Sequence, residues 1–189
     1  MIKTPEALLE QFCQAASRVG ARTVRCLSAK AAVDYIVRHA GGTIILPDFP
    51  AARQLNLAEL LRTQGAEVIC GDLFQAATTA AAGITGANFG LADTGTVVIE
   101  STAQAIRLAS TLPERHFVLL NPHKILPDHM AAVPILRRLH SRQSPDFIAF
   151  ITGPSRTADI ERVLTIGAHG PRELHILLLD GLSDDFLET

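Results

Sequence analysis

Arg156 stands between two hydroxyl residues, Ser155 and Thr157, in the stretch ITGPSRTADIE (151–161). An apolar run, DFIAFI (146–151), stops there at Gly153-Pro154. The chemistry such a stretch offers is anion capture. Gly153 permits close backbone approach, and Pro154 forces a turn. Amides exposed at the turn favour negative charge, and Arg156 adds a bidentate clamp for phosphate or carboxylate. A purely structural arrangement fits the same residues. In it Ser155 or Thr157 caps a short helix, Asp159 and Glu161 favour its dipole, and Arg156 pairs with one of these acids. Residue types leave both open.

The second candidate is GITGANFGLADTGTVVIE (83–100). Closely spaced Gly and Thr expose backbone amides, as a phosphate or carboxylate cradle requires. Thr85, Gly86, Asn88, Thr94, Gly95 and Thr96 are the expected ligand contacts here, with Gly153, Ser155, Arg156, Thr157 and Asp159 on the other side. Asn88 and Asp93 would orient the ligand, and Glu100 would act as general base or nucleophile. The stretch matches neither the Walker A loop nor G-x-G-x-x-G. A hairpin whose glycines serve turn geometry, ending in a solvated Glu100, explains the same pattern. His169, in GAHGP, is a candidate acid or base, although a structural loop histidine fits as well. His123 and His129 lie six apart in NPHKILPDH, which suits no standard zinc spacing, so no metal is expected. Lys124, in the same stretch, has no pattern that singles it out.

The elements that must position these residues alternate. Thr4-Pro5 predicts a helix start, with Leu8, Leu9, Phe12 and Ala16 on its apolar face. A strand is expected over 23–27, then a helix capped by Ser28 and closed by Gly41-Gly42. Further strands are expected over 43–47, 67–71, 116–121, 146–151 and 173–180. Helices are expected over 55–65, 72–83 and about 128–141, and ADTG suits a tight turn between two strands. Strands separated by helices imply a mostly parallel sheet covered on both faces. In such sheets ligands bind outside the carboxyl ends of the strands, so both motifs are expected as two walls of one site at that edge.

Composition bounds the rest. The 189 residues suit a single domain, 1–189, with 1–40 as an extension of it. A 48% hydrophobic, 19% charged chain is ordinary for a globular protein. A net charge of −2 without a basic run argues against nucleic acid and anionic membrane as partners. No signal peptide or apolar span of about 18 residues is visible. Cys13, Cys26 and Cys70 are scattered, with no C-x-x-C, so a disulfide framework or a cluster held by this chain is not expected. A reduced, cytoplasmic protein follows. Homo-oligomerisation stays open.

Four segments, GITGANFGLADTGTVVIE, LPERHFVLLNPHKILPD, ITGPSRTADIE and GAHGPRELHILLLD, together resemble the LUD domain (lactate-utilization, LutC/YkgG) family over about 40–181. The resemblance implies a fold of the NagB/RpiA/CoA transferase-like group, a three-layer α/β/α sandwich. It implies a component of a system oxidising L-lactate to pyruvate beside LutA/LutB-like iron–sulfur partner proteins, which would carry the clusters. It supplies no catalytic residue. A stand-alone enzyme on a phosphorylated sugar, nucleotide or CoA thioester, and a non-catalytic interaction subunit, are the alternatives. Asp93 keeps a carboxylate in the A-[DE]-T-G-T turn.

Overall fold

The computed structural model describes residues 4–141, 146–157, 165–167 and 169–188. The Thr4 hydroxyl accepts the Ala7 N–H at the start of helix α1 (Pro5–Arg18), as the capping pattern requires. After strand β1 (Arg22–Cys26), Ser28 caps α2 (Ala29–Ala40) and Gly41, at φ 74°, ends it. β2 (Ile44–Ile45) follows. The helix predicted over 55–65 forms as α4 (Leu57–Thr63), preceded by a short helix the pattern did not predict, α3 (Pro50–Gln54); Asn56 between them takes φ 48°, outside helical space, and keeps the two apart.

β3 (Val68–Ile69) leads to α5 (Leu73–Ala76), far shorter than the helix predicted over 72–83. The Thr78 and Thr79 hydroxyls bond back to the carbonyls of Gln75 and Ala76 and close a turn there. That turn frees β4 (Ala82–Gly86) to be a central strand. The expected hairpin forms as β5 (Phe89–Leu91) and β6 (Thr96–Glu100). Helix α6 (Gln104–Thr111) has Ala103 at its cap position, so no side-chain signal announces it in the sequence. β7 (Arg115–Leu120), a single 3-10 turn (Pro122–Lys124), β8 (Ile125–Leu126) and α7 (His129–His140) come next. β9 (Ile148–Ile151), β10 (Arg156–Thr157), β11 (Thr165–Ile166) and β12 (Glu173–Leu179) complete the strands.

Six strands pair in the order β1-β12-β7-β4-β2-β3, all parallel. Successive strand residues point to opposite faces. Ile44 packs in the main core with Ile36, Leu57 and Leu61 from α2 and α4, whereas Ile45 packs with Leu73, Ala77 and Ala109 from the α5–α6 side. Both faces are therefore covered, and the architecture is the expected α/β/α sandwich. A second sheet, β8-β5-β6-β9, carries the hairpin. β10 and β11 form a separate pair.

β4 is built from A-G-I-T-G for a reason of space. A Cβ at Gly83 would lie 2.0 Å from the carbonyl oxygen of Ala109, so α6 rests on the strand's backbone. Among the described residues no helix is long and apolar enough to cross a membrane.

Candidate functional site

β2 and β4 are neighbours in the sheet, but their outgoing connections run in opposite directions. The chain leaves β2 for β3 at one edge and leaves β4 toward β7. Such a reversal opens a crevice at the carboxyl ends of the two strands. A cavity of about 330 Å³ lies there. Asp48, Phe49 and Pro50 enter it from beyond β2, Gly86 and Asn88 from the end of β4, and Asn121 and Lys124 from beyond β7. Glu100 and Thr102, at the end of β6, and Leu182 and Glu188, beyond β12, complete the polar and apolar wall. Lys124 is the one cation among these lining residues.

The buried polar groups of this wall are held at both ends. Asn88, 4% exposed, accepts the Glu100 N–H through Oδ1 at 2.7 Å. Its Nδ2 donates to the carbonyls of Phe186 and Glu188 at 3.1 and 2.9 Å. Glu100 Oε1 accepts the Thr102 N–H at 2.9 Å, which fixes the carboxylate against the cavity. Arg107 donates to the carbonyls of Ser101 and Thr102, each at 2.6 Å, and lies over the Phe147 ring. The loop after Glu100 is thus tied to α6 and β9.

Asn121 Oδ1 accepts the His123 N–H, while Nδ2 donates to the carbonyls of Leu182 and Ser183 and to Asp184 Oδ1. Lys124 is 1% exposed and donates to Glu188 Oε1 at 2.7 Å and to the Asp185 carbonyl at 3.0 Å. A buried ammonium without such a partner is strongly destabilising, and Glu188 supplies the anion that Lys124 needs here.

Of the residues singled out in the sequence, Gly86, Asn88 and Glu100 line this cavity. Thr85 does not; it is fully buried in the sheet, its hydroxyl 2.9 Å from His116 Nε2. Burial alone pushes the His116 imidazole down to about 3.

The Gly/Thr turn and the arginine segment do meet, since β6 pairs with β9 and Thr96 Oγ1 lies 2.8 Å from Thr152 Oγ1. Thr94 extends this chain of hydroxyls to Thr96 at 2.7 Å. What fills the meeting place is helix α1, not a ligand cleft. A Cβ at Gly95 (φ 69°) would fall 2.2 Å from the Ala16 nitrogen, and one at Gly153 (φ 76°) 2.3 Å from the Val19 carbonyl oxygen. The Arg156 guanidinium donates to that same Val19 carbonyl, at the end of α1. The amides are taken too: Gly95 N–H bonds to Leu91, and Ser155 N–H to Pro171.

This corrects the expected placement of 83–96 and 152–159 as two walls at the carboxyl edge. Gly153 and Ser155 line a different cavity of about 270 Å³, beside His116 and Leu174, the second residues of β7 and β12, at the amino end of the sheet. His169 is exposed there. Asp93 Oδ2 lies 3.9 Å from His129 Nδ1, away from Glu100. Arg156 and Thr157 are strand residues paired with Ile166 and Thr165, not the start of a helix. Asp159 and Glu161 lie outside the described residues.

Sequence reasoning missed Lys124, Asn121 and Glu188. The one local signal was Asn121-Pro122 directly after an apolar strand, an Asn placed to cap a turn. The cysteines are free: Cys26 is buried, Cys13 half-buried and Cys70 exposed. Among the described residues no group of three His, Cys, Asp or Glu side chains could hold a metal ion.

The model of the LUD domain family matches residues 9–179. Lactate utilization protein C of Anoxybacillus flavithermus is 34% identical over 150 residues, covering 77% of this chain and 67% of that protein. The protein of the same name from Bacillus subtilis is 32% identical over 160 residues, covering 78% and 67%. The chain thus spans about two thirds of the length of these relatives. A crystal structure of a DUF162 family protein from Deinococcus radiodurans shares the fold, with a TM-score of 0.67 at 18% identity, over 94% of this chain and 99% of that one. With the family model matching most of its length, the chain belongs to the LUD domain family.

Proposed function

We propose that this chain is a LutC-like component of a lactate utilization system and binds a small anionic ligand at the carboxyl edge of its sheet. The cavity at the β2–β4 reversal carries the anion reading, because its single lining cation, Lys124, is buried and needs a negative partner. Relatives named Lactate utilization protein C support the assignment to lactate use. The anion is assigned to Lys124 and not to Arg156, whose guanidinium is engaged at the end of α1. In this reading the oxidation of L-lactate to pyruvate involves LutA/LutB-like iron–sulfur proteins, and the clusters belong to those partners.

Calorimetry with L-lactate, pyruvate, phosphate, AMP and CoA tests the ligand assignment. Binding of at least one is expected, lost in Lys124→Met and retained in Arg156→Ala. No heat from any of the five, or unchanged binding in Lys124→Met, sinks it. Co-purification from the native cell with Cys-rich, cluster-bearing proteins tests the partnership.

Glu100 favours a second reading, a stand-alone enzyme on a phosphorylated sugar, nucleotide or CoA thioester. Its carboxylate is fixed at the cavity wall by the Thr102 N–H, as a base or nucleophile must be. That reading requires turnover by the isolated chain, abolished in Glu100→Gln.

A further inference from the structure

Three buried side chains at the carboxyl edge direct their donors onto one short segment, Leu182–Glu188. Asn121 bonds to its start, and Asn88 and Lys124 bond to its end. Most of these bonds go to backbone carbonyls, which any sequence would supply. The Glu188 carboxylate on Lys124 is different: it is a side-chain anion on the cavity's single lining cation. Its side chain is 18% exposed, whereas that of Lys124 is 2% exposed. The carboxylate therefore has a route to solvent that the ammonium lacks.

Phe186 and Leu187 pack against the apolar cluster of Phe89, Leu91 and Val98. Their burial keeps the segment docked while the Glu188 side chain swings.

We infer that Glu188 is an internal placeholder: its carboxylate occupies the position on Lys124 that a ligand's carboxylate takes, and the ligand enters by exchange with it. This inference rests on the proposed reading of the cavity as an anion site. Exchange of one carboxylate for another leaves the charge on Lys124 balanced throughout. Departure of Glu188 with no replacement strands a buried ammonium, so release is coupled to binding. Asp48 and Glu100 line the same cavity and disfavour a dianion. The ligand class is accordingly a small monocarboxylate, with acceptor or hydroxyl oxygens for Asn88 and Asn121.

The test compares L-lactate affinity of the full chain as wild type, Glu188→Gln and Lys124→Met, by calorimetry near neutral pH. Glu188→Gln leaves no competing carboxylate to displace from Lys124 and should bind at least about tenfold more tightly. Equal or weaker binding by Glu188→Gln, with binding lost in Lys124→Met, overturns the placeholder while the anion site stands. Absence of binding in both wild type and Glu188→Gln overturns the anion site itself.

A measurement on the wild type alone covers the case in which Glu188→Gln does not fold. The carboxyl carbon resonance of Glu188 should shift on saturation with L-lactate, as its side chain leaves Lys124 for solvent. An unmoved resonance at saturation overturns the exchange step.

Discussion

The two ends of the parallel sheet hold their polar groups in opposite ways. At the amino end the partners belong to the sheet and its helices. Glu173 lies 3.3 Å from Arg115 and 3.4 Å from Arg22, and His175 is bonded to Glu173 and to the Tyr35 hydroxyl. Burial holds the His175 imidazole low against the pull of Glu173. Thr94, Thr96 and Thr152 bond to one another beneath α1. At the carboxyl end Asn88, Asn121 and Lys124 bond instead to a segment outside any helix or strand. Polar groups satisfied within regular elements cannot be released without unfolding them. Groups satisfied by a loop can exchange partners at far lower cost. On the proposed reading the carboxyl end is the place for ligand chemistry, although the more conspicuous sequence motifs gather at the other.

The sharpest way to break this contrast is Gly95→Ala. It adds a methyl against the α1 backbone and a side chain at φ 69°. Loss of about 3 kcal/mol is expected, lowering Tm by about 6–12 °C, with ligand affinity of the folded protein unchanged. Gly65→Ala is the control, with φ 82° and no atom within 4 Å, and should cost only about 1 kcal/mol. Impaired binding in Gly95→Ala at temperatures where it is folded would return the turn to the ligand site.

The next effect is acid sensitivity of the amino end. His116 binds its proton at about 3 in the fold and near the ordinary 6.5 when unfolded. Below that value the unfolded chain takes up the proton first, so stability is complete above about pH 6.5 and declines as pH falls toward 3. Urea unfolding should show a loss of about 2 kcal/mol from this group between pH 7 and pH 5, absent in His116→Asn. A slope identical in the variant would assign the acid sensitivity elsewhere.

The smallest effect belongs to the rim of the cavity. Asp48 and Arg53 pair at 2.6 Å, but both side chains are more than half exposed. Arg53→Ala should cost less than about 1 kcal/mol by the same unfolding measurement.

Much of the fold is legible from local signals. Thr4-Pro5, Ser28 and Gly41 mark helix ends because caps are set by residues adjacent in the chain. β4 and α6 escape such signals for one shared reason: Gly83 is chosen for contact with Ala109, and neither a strand alternation nor a cap records that contact. The site divides in the same way. Gly86, Asn88 and Glu100 sit in a Gly/Thr-rich stretch that draws the eye. Lys124 becomes special only through Glu188, 64 residues later, and Asn88 reaches the same residue across 100. Arg156 misled for the converse reason, since its partner carbonyl at Val19 is 137 residues away and invisible to any motif.

The seating of α6 on a nearly side-chain-free strand has a mechanical corollary. Ala103 and Ile106 flank the cavity from one side and Gly86 from another, and the two supports touch main chain to main chain. No flexible rotamer lies between them at Gly83 to absorb a displacement. The width of the cavity across this contact is therefore set by the scaffold, and on the proposed reading it would limit the girth of a ligand.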